Sequence, residues 1–239
     1  SKTESFTYDN LNRLETTAIT GLPTITMNYA ANGNISSKTD VGTYNYHGTK
    51  INAVVQIDNP LNFPAMIQNV TYNSFYQPAT ISEGTYNLAL TYGDDEQRIK
   101  TVLTQGSTTL MTKYFFDGYE KLVSGGTTRY VYYINGGYGA GLVSVVERIG
   151  TTDSYFYTYT DHLGSILTVT NSTGSTIVAE QNFDAWGRYR NKDTWSYTSP
   201  TIPTFVWLTR GYTGHEHLRE FNLVNMNGRL YDPLVARML

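Results

Sequence analysis

With 239 residues and no cysteine, the chain is long enough to bury a core without disulfides, and it offers neither a thiolate nucleophile nor a cysteine metal site. Charged residues are 15% of the chain against roughly 25% in ordinary domains, and the net charge of -3 is spread without long runs of one sign, which argues against a nucleic-acid groove. No stretch approaches the roughly 20 apolar residues that a membrane-spanning helix needs, and the opening SKTESFTYDN is not a signal peptide, so an export signal would lie outside the chain.

The composition favours strands. Tyr contributes 21 residues against 9 Phe and 3 Trp, set among Thr, Asn, Ser, Val and Ile, which suit a pleated, half-buried surface. From the first residues a unit recurs in which an aromatic closes a strand, a polar turn follows, and an apolar residue resumes the chain. Tyr8-Asp9-Asn10-Leu11-Asn12-Arg13-Leu14 is followed by Tyr29-Ala30-Ala31-Asn32-Gly33-Asn34-Ile35, with further turn-flanked rings at Tyr44 and Tyr46. Tyr72, Tyr92 and Tyr114 continue the series at a spacing of roughly 20 residues. One hairpin per unit, without long crossovers, predicts a single continuous antiparallel sheet with Tyr8, Tyr29, Tyr72, Tyr92 and Tyr114 at equivalent places.

Beyond Ser124 the repeat fades and denser landmarks begin. We place a boundary near residue 123, giving hairpin repeats over 1–123 and a second region over 124–239 joined through the same sheet. Alternating runs such as Thr127–Ile134, Leu142–Arg148 and Ser154–Tyr159 predict strands. Gly125-Gly126, Asn135-Gly136-Gly137 and Ser172-Thr173-Gly174 predict turns. Gly137-Tyr138-Gly139-Ala140-Gly141 is followed by a strand pattern and reads as a hairpin, not a phosphate loop. Residues 191–208, with Ser199-Pro200 and Ile202-Pro203, predict a loop, and Thr213-Gly214-His215-Glu216 fits a capping box before a short helix.

Candidate chemistry is sparse. Asp161-His162 with Ser165 suggests a triad, but a nucleophile and base this close along a turn rarely reach hydrogen-bond geometry, so a structural turn is favoured. His215-Glu216-His217 could put two imidazoles on one side of a strand, yet no third ligand is evident and no metal or other cofactor is expected. No carboxylate pair stands out as a glycosidase pair among the acidic residues.

Four ordered segments carry a resemblance. They are Asp161-His162-Leu163-Gly164-Ser165, Phe183-Asp184-Ala185-Trp186-Gly187-Arg188, Gly211-Tyr212-Thr213-Gly214-His215-Glu216, and Asn225-Met226-Asn227-Gly228-Arg229-Leu230-Tyr231-Asp232-Pro233. They resemble the Rhs repeat-associated core domain, and Tyr8-Asp9 with its successors resembles the YD repeat of Rhs proteins. Residues 47–70 and 191–208 are the least typical. The resemblance implies an all-β, spiralling sheet forming part of a hollow shell, as in Rhs effectors, toxin-complex C subunits and teneurin YD shells. It also implies a secreted, bacterial setting and an enclosed C-terminal toxin domain. The corresponding landmarks are Asp161, His162, Gly164, Asp184, Gly187, Arg188, Gly214 and His215.

In relatives a carboxylate pair near the shell's end cuts the polypeptide beyond it as an aspartyl autoprotease. The matching candidates here are Asp232, Glu220 and Arg229, the last as an orienting cation. Ala236-Arg237-Met238-Leu239 corresponds to the stretch that leads relatives to a second acidic motif, so this chain alone is expected to have no protease activity. The leading reading is a structural shell segment whose partners are the rest of its own polypeptide, further shell chains or an enclosed toxin. The alternative is an extracellular adhesion or carbohydrate-binding β-protein that stacks a surface glycan on Trp186, Trp195, Trp207 and the Tyr ladder.

Overall fold

The computed structural model describes residues 2–136 and 141–239. The protein is all-β and every paired strand is antiparallel. Strands β1 (Glu4–Tyr8), β2 (Leu14–Ile19), β3 (Ile25–Tyr29), β4 (Ile35–Lys38), β5 (Gly42–Tyr46) and β6 (Val54–Asp58) form a six-stranded sheet in sequence order. An eleven-stranded sheet follows, also in sequence order. It comprises β7 (Gln68–Tyr72), β8 (Pro78–Glu83), β9 (Tyr86–Tyr92), β10 (Arg98–Gln105), β11 (Thr108–Phe116), β12 (Tyr119–Ser124), β13 (Thr127–Asn135), β14 (Leu142–Ile149), β15 (Thr152–Thr160), β16 (Ile166–Thr170) and β17 (Ile177–Glu180). The last four strands, β18 (Glu216–Leu218), β19 (Leu223–Asn225), β20 (Leu230–Asp232) and β21 (Arg237–Met238), make a small third sheet. None of the three closes into a barrel.

The turns explain why the hairpins repeat. Tyr8, Tyr29, Tyr72 and Tyr92 are each the last residue of a strand, and a five-residue turn follows each. The first turn residue donates its backbone N–H to the fifth, as in Asp9 to Arg13 (3.0 Å) and Gly93 to Gln97 (2.8 Å). Where that first residue is Asp or Asn, its Oδ1 also accepts two backbone N–H groups, Leu11 and Arg13 on Asp9, Phe75 and Gln77 on Asn73. This side-chain mimicry of a backbone turn is what Asx residues supply. The fourth residue takes positive φ, filled by Gly33 (86°) but also by Tyr76 (60°) and Glu96 (61°). The same turn recurs at Asp161–Ser165 and Asp184–Arg188, so two landmarks of the second half are built like the repeats of the first.

Rungs join neighbouring hairpins. The Tyr29 hydroxyl donates to the Leu14 carbonyl, Tyr46 to Ile35 and Tyr92 to Pro78, in each case to the first residue of the preceding strand. Tyr114 departs from the expected equivalence, because it sits two residues before the end of β11 and Phe116 takes the terminal place.

Two further expectations need correction. The chain does not form one continuous sheet: pairing runs unbroken through β11, β12 and β13 across residue 123, but no ladder joins β6 to β7. The connection 59–67 contains Pro60 and Pro64, which lack a backbone donor, and places Asn59 and Asn62 at positive φ, so it cannot extend a ladder. The expected capping box at Thr213–Glu216 does not start a helix: a 3-10 turn at Tyr212–Gly214 leads into β18, and the short helix expected over Leu218–Phe221 is reduced to a single 3-10 turn at Arg219–Phe221. Thr213 stands at φ 50° with its hydroxyl on Tyr212 O and His215 Nδ1, so it caps nothing, and the Glu216 side chain turns to Lys113 instead of back to the chain. The glycine-rich run 137–141 lies outside the described residues except for Gly141, and its flanking strands β13 and β14 are antiparallel neighbours.

The core lies between the sheets and the C-terminal segment. Trp207 and Leu208, in the irregular stretch 191–209, pack with Leu122, Val131, Val145, Phe156 and Val169 of the large sheet. Leu218, Phe221, Leu223 and Leu230 meet Ile81, Leu88, Leu90 and Leu103, while Trp186 and Val235 meet Met27, Ile35, Val41 and Tyr44 of the six-stranded sheet. One face of the large sheet is therefore covered. The other carries the cross-strand row Phe116, Tyr119, Tyr132, Val146 and Tyr155, with Phe116 and Tyr119 stacked at 4.6 Å.

Candidate functional site

The covered face holds two clusters of charge. The first forms where the Asp184 turn meets the hairpin of β4 and β5. Asp184 Oδ1 accepts the backbone N–H groups of Trp186 and Arg188, both at 2.9 Å, and Oδ2 accepts the Tyr197 hydroxyl at 2.8 Å. Arg188 and Lys38 both pair with Asp40 at 2.6 Å. Lys38 is fully buried beneath the Trp186 ring, 4.4 Å from its centre, and burial pushes its ammonium below the ordinary lysine range despite Asp40. Such a lysine is held by its carboxylate and the ring face together.

Asp232, at the end of β20, accepts the N–H groups of Leu234 (2.8 Å) and Val235 (3.2 Å) through one oxygen. Burial raises its carboxyl above the ordinary value, opposed by those two N–H groups and by the charges of Arg188 and Lys38. Burial also pushes the hydroxyls of Tyr44, Tyr197 and Tyr231 well up, and Tyr44 donates to Val235 O. Asp232 and Asp184 thus approach one region, but each is satisfied by its own donors and no hydrogen bond joins them. A pair sharing one proton over a water is not assembled here. Glu220 and Arg229 are both exposed and form no ion pair among the described residues. The basic groups acting on Asp232 are Arg188 and Lys38, not the expected Arg229, because Arg229 lies in the exposed turn 226–229.

The second cluster fixes β18 to the large sheet. Glu216 accepts the Lys113 ammonium at 2.5 Å and forms an ion pair with Arg98 at 2.7 Å; burial alone would raise its carboxyl, but these two cations hold it far below the usual carboxylate range. Lys113 also donates to the Thr209 hydroxyl, and Arg210 pairs with buried Glu120 at 3.0 Å. His217 Nε2 accepts the Tyr212 N–H at 3.0 Å while its ring stacks on Phe183. Burial, then Arg219, pushes this imidazole down to about 3.

The remaining sequence candidates are structural in their contacts. Ser165 is buried with its hydroxyl accepting the Thr213 N–H, while His162 is exposed, so the triad does not form. His215 and His217 are engaged by Thr213 and Tyr212, and no group of three metal-ligating side chains exists among the described residues. Gly164, Gly187 and Gly214 occupy positive-φ turn positions. Of the three tryptophans, Trp186 and Trp207 are core residues and cannot stack on a glycan. Sequence reasoning missed Lys38, Arg98, Lys113 and Glu120. Their one signal is a lone charge on the apolar face of a strand pattern, as Lys113 stands between Met111 and Phe115.

No family model matches the chain, and no curated protein does. Solved structures do. A crystal structure of TcdB2-TccC3-Cdc42 aligns over 98% of this chain at TM-score 0.71 and 14% identity, and one of TcdB2-TccC3 without its hypervariable C-terminal region aligns over 98% at 0.68 and 16%. A Tc holotoxin pore of Photorhabdus luminescens with mutated TccC3 aligns over 99% at 0.64 and 14%. The protein therefore has the β-shell fold of these toxin-complex structures. It spans only 14%, 14% and 12% of those chains respectively.

Proposed function

We propose that this chain is a wall segment of an Rhs/YD-repeat shell, with hairpin repeats over 1–123 and a core-domain-like region over 124–239 that lines and closes the wall. The observation that carries the reading is the open eleven-stranded sheet with one face covered by residues 181–239, in a fold that aligns almost end to end with toxin-complex structures. Free edges at β1, β6, β7 and β17 are the surfaces on which further strands of the same wall would pair. In this reading the enclosed cargo is a C-terminal toxin or effector domain of a secreted bacterial protein. Asp184 and Asp232 are this chain's carboxylates nearest a self-cleavage site, and a further acidic group from elsewhere completes it.

Limited proteolysis of the full-length product of the encoding gene tests this. The polypeptide after residue 239 is expected to resist trypsin until the shell unfolds, and digestion at the rate of a free domain would contradict enclosure. The 239-residue chain is expected to leave a peptide of its own downstream sequence intact. Cleavage abolished by Asp232→Asn would show that the chain holds the whole catalytic apparatus.

A further inference from the structure

The uncovered face of the large sheet carries a second cross-strand row beside the aromatic one. Lys100 of β10 stands opposite Tyr114 of β11, Tyr114 opposite Lys121 of β12, Lys121 opposite Tyr130 of β13, Tyr130 opposite Arg148 of β14, and Arg148 opposite Asp153 of β15. Directly opposed residues share a face, and Lys113, the neighbour of Tyr114, points to the covered one, where it meets Thr209 and Glu216. Cation and tyrosine therefore alternate over five strands. The Nζ atoms of Lys100 and Lys121 each lie 5.6 Å from the centre of the Tyr114 ring, and neither lysine forms an ion pair among the described residues. Arg148 differs, because Asp153 holds it through bonds of 2.6 and 2.8 Å. In a chain of net charge -3, positive charge is concentrated along this row.

Lysines without a counter-ion on an open face attract an acidic partner, and the spacing decides its class. Neighbouring strands lie about 4.8 Å apart, so the cations on β10, β12 and β14 repeat at about 9.6 Å. An extended peptide puts its same-side residues about 6.7 Å apart, out of step with that repeat. It also has no edge to join, since β10 to β14 are each paired on both sides. A nucleic-acid duplex carries a phosphate about every 3.4 Å of each strand and calls for a denser basic surface than two free lysines. A linear polysaccharide with a carboxylate on every second sugar fits the row. Each sugar advances such a chain by about one strand spacing, so neutral rings fall over Tyr114 and Tyr130 while carboxylates fall at Lys100, Lys121 and Arg148. The tyrosines offer an apolar ring to the sugar face and a hydroxyl to its polar rim.

We infer that the row from Lys100 to Arg148 is a docking surface for a linear acidic polysaccharide laid across the strands. The surface lies opposite the face that residues 181–239 cover. Absence of this binding would leave the protease protection of the downstream polypeptide untouched, so it and the shell reading fail separately.

The test is calorimetric titration of the 239-residue chain with a hyaluronan octasaccharide, which alternates a uronate with a neutral amino sugar. A chitin oligosaccharide of equal length, polyglutamate, oligo-dT and anionic phospholipid vesicles serve as comparisons. Binding of the hyaluronan fragment is expected, weakened by added salt and at least several-fold tighter than any of the other four. Lys100→Gln and Lys121→Gln should each weaken it about two- to fivefold, as expected for one exposed ion pair, and the two together about tenfold. Removing two lysines elsewhere, Lys2→Gln with Lys50→Gln, changes the net charge equally and should leave binding as in the parent. All four substitutions are at surface positions without ion pairs and should keep the thermal unfolding midpoint. No binding of the hyaluronan fragment would overturn the inference. Equal binding of polyglutamate, oligo-dT or vesicles, or equal losses in the two double variants, would reduce the row to unspecific charge attraction and overturn it as well.

Discussion

At the scale of single residues, the fourth position of the five-residue turn sets a measurable strain. Tyr76 occupies it at φ 60° with its side chain 87% exposed, so replacing it by glycine removes the left-handed cost and loses no buried contact. Tyr76→Gly should stabilise the protein by about 0.5–1 kcal/mol in urea unfolding. Gly187 is the converse: its φ is 92°, and an added Cβ would stand 2.6 Å from the Tyr212 ring. Gly187→Ala should destabilise by more than about 2 kcal/mol, because backbone strain and a clash in the core act together.

His217 makes a second residue-scale prediction. Its pKa falls from the ordinary 6.5 to about 3, so the fold binds the neutral ring. The stability it contributes is complete above about pH 6.5 and is lost as the pH falls toward 3, by roughly 1.4 kcal/mol per unit from this group alone. His215, also lowered by burial and Arg210, acts in the same direction. Asp232 has the opposite sign, since its raised carboxyl stabilises the fold at low pH and loses that effect as the pH rises through its folded value. Denaturant unfolding between pH 7 and pH 4 should show falling stability, and His217→Gln should flatten the slope. An unchanged slope would place the acid sensitivity elsewhere.

At the scale of elements, the hairpins were legible because their signals are local. Alternation, turn residues and a closing aromatic all lie within a few residues, and they located Tyr8, Tyr29, Tyr72 and Tyr92 at strand ends. The break between β6 and β7 was less legible, since Pro60 and Pro64 mark a loop but not which strands stop pairing. The helix expected after Thr213 shrinks to the 3-10 turn Arg219–Phe221 for a tertiary reason: Lys113 and Arg98, about a hundred residues earlier, draw Glu216 into a strand. The candidate site was hidden for the same reason, as Lys38, Asp40, Arg188 and Asp184 meet only after the C-terminal segment folds back over both sheets. The Tyr rungs can be weighed directly. Tyr92→Phe removes one hydroxyl donated to Pro78 O at 2.9 Å and should cost about 1 kcal/mol with the fold intact.

At the scale of the whole molecule, the proposed shell role rests on an open sheet whose one face is covered by residues 181–239. The aromatic row on the uncovered face and the free sheet edges would be liabilities in an isolated domain, whereas in a larger wall the edges continue into further strands. Electron cryomicroscopy of the full-length product of the encoding gene tests that claim most directly. The expected result is a hollow particle in which β1 to β17 form part of a continuous wall and residues 181–239 lie against its inner face. A solid particle without a lumen, or one in which these strands stand apart as a separate domain with unpaired edges, would contradict it.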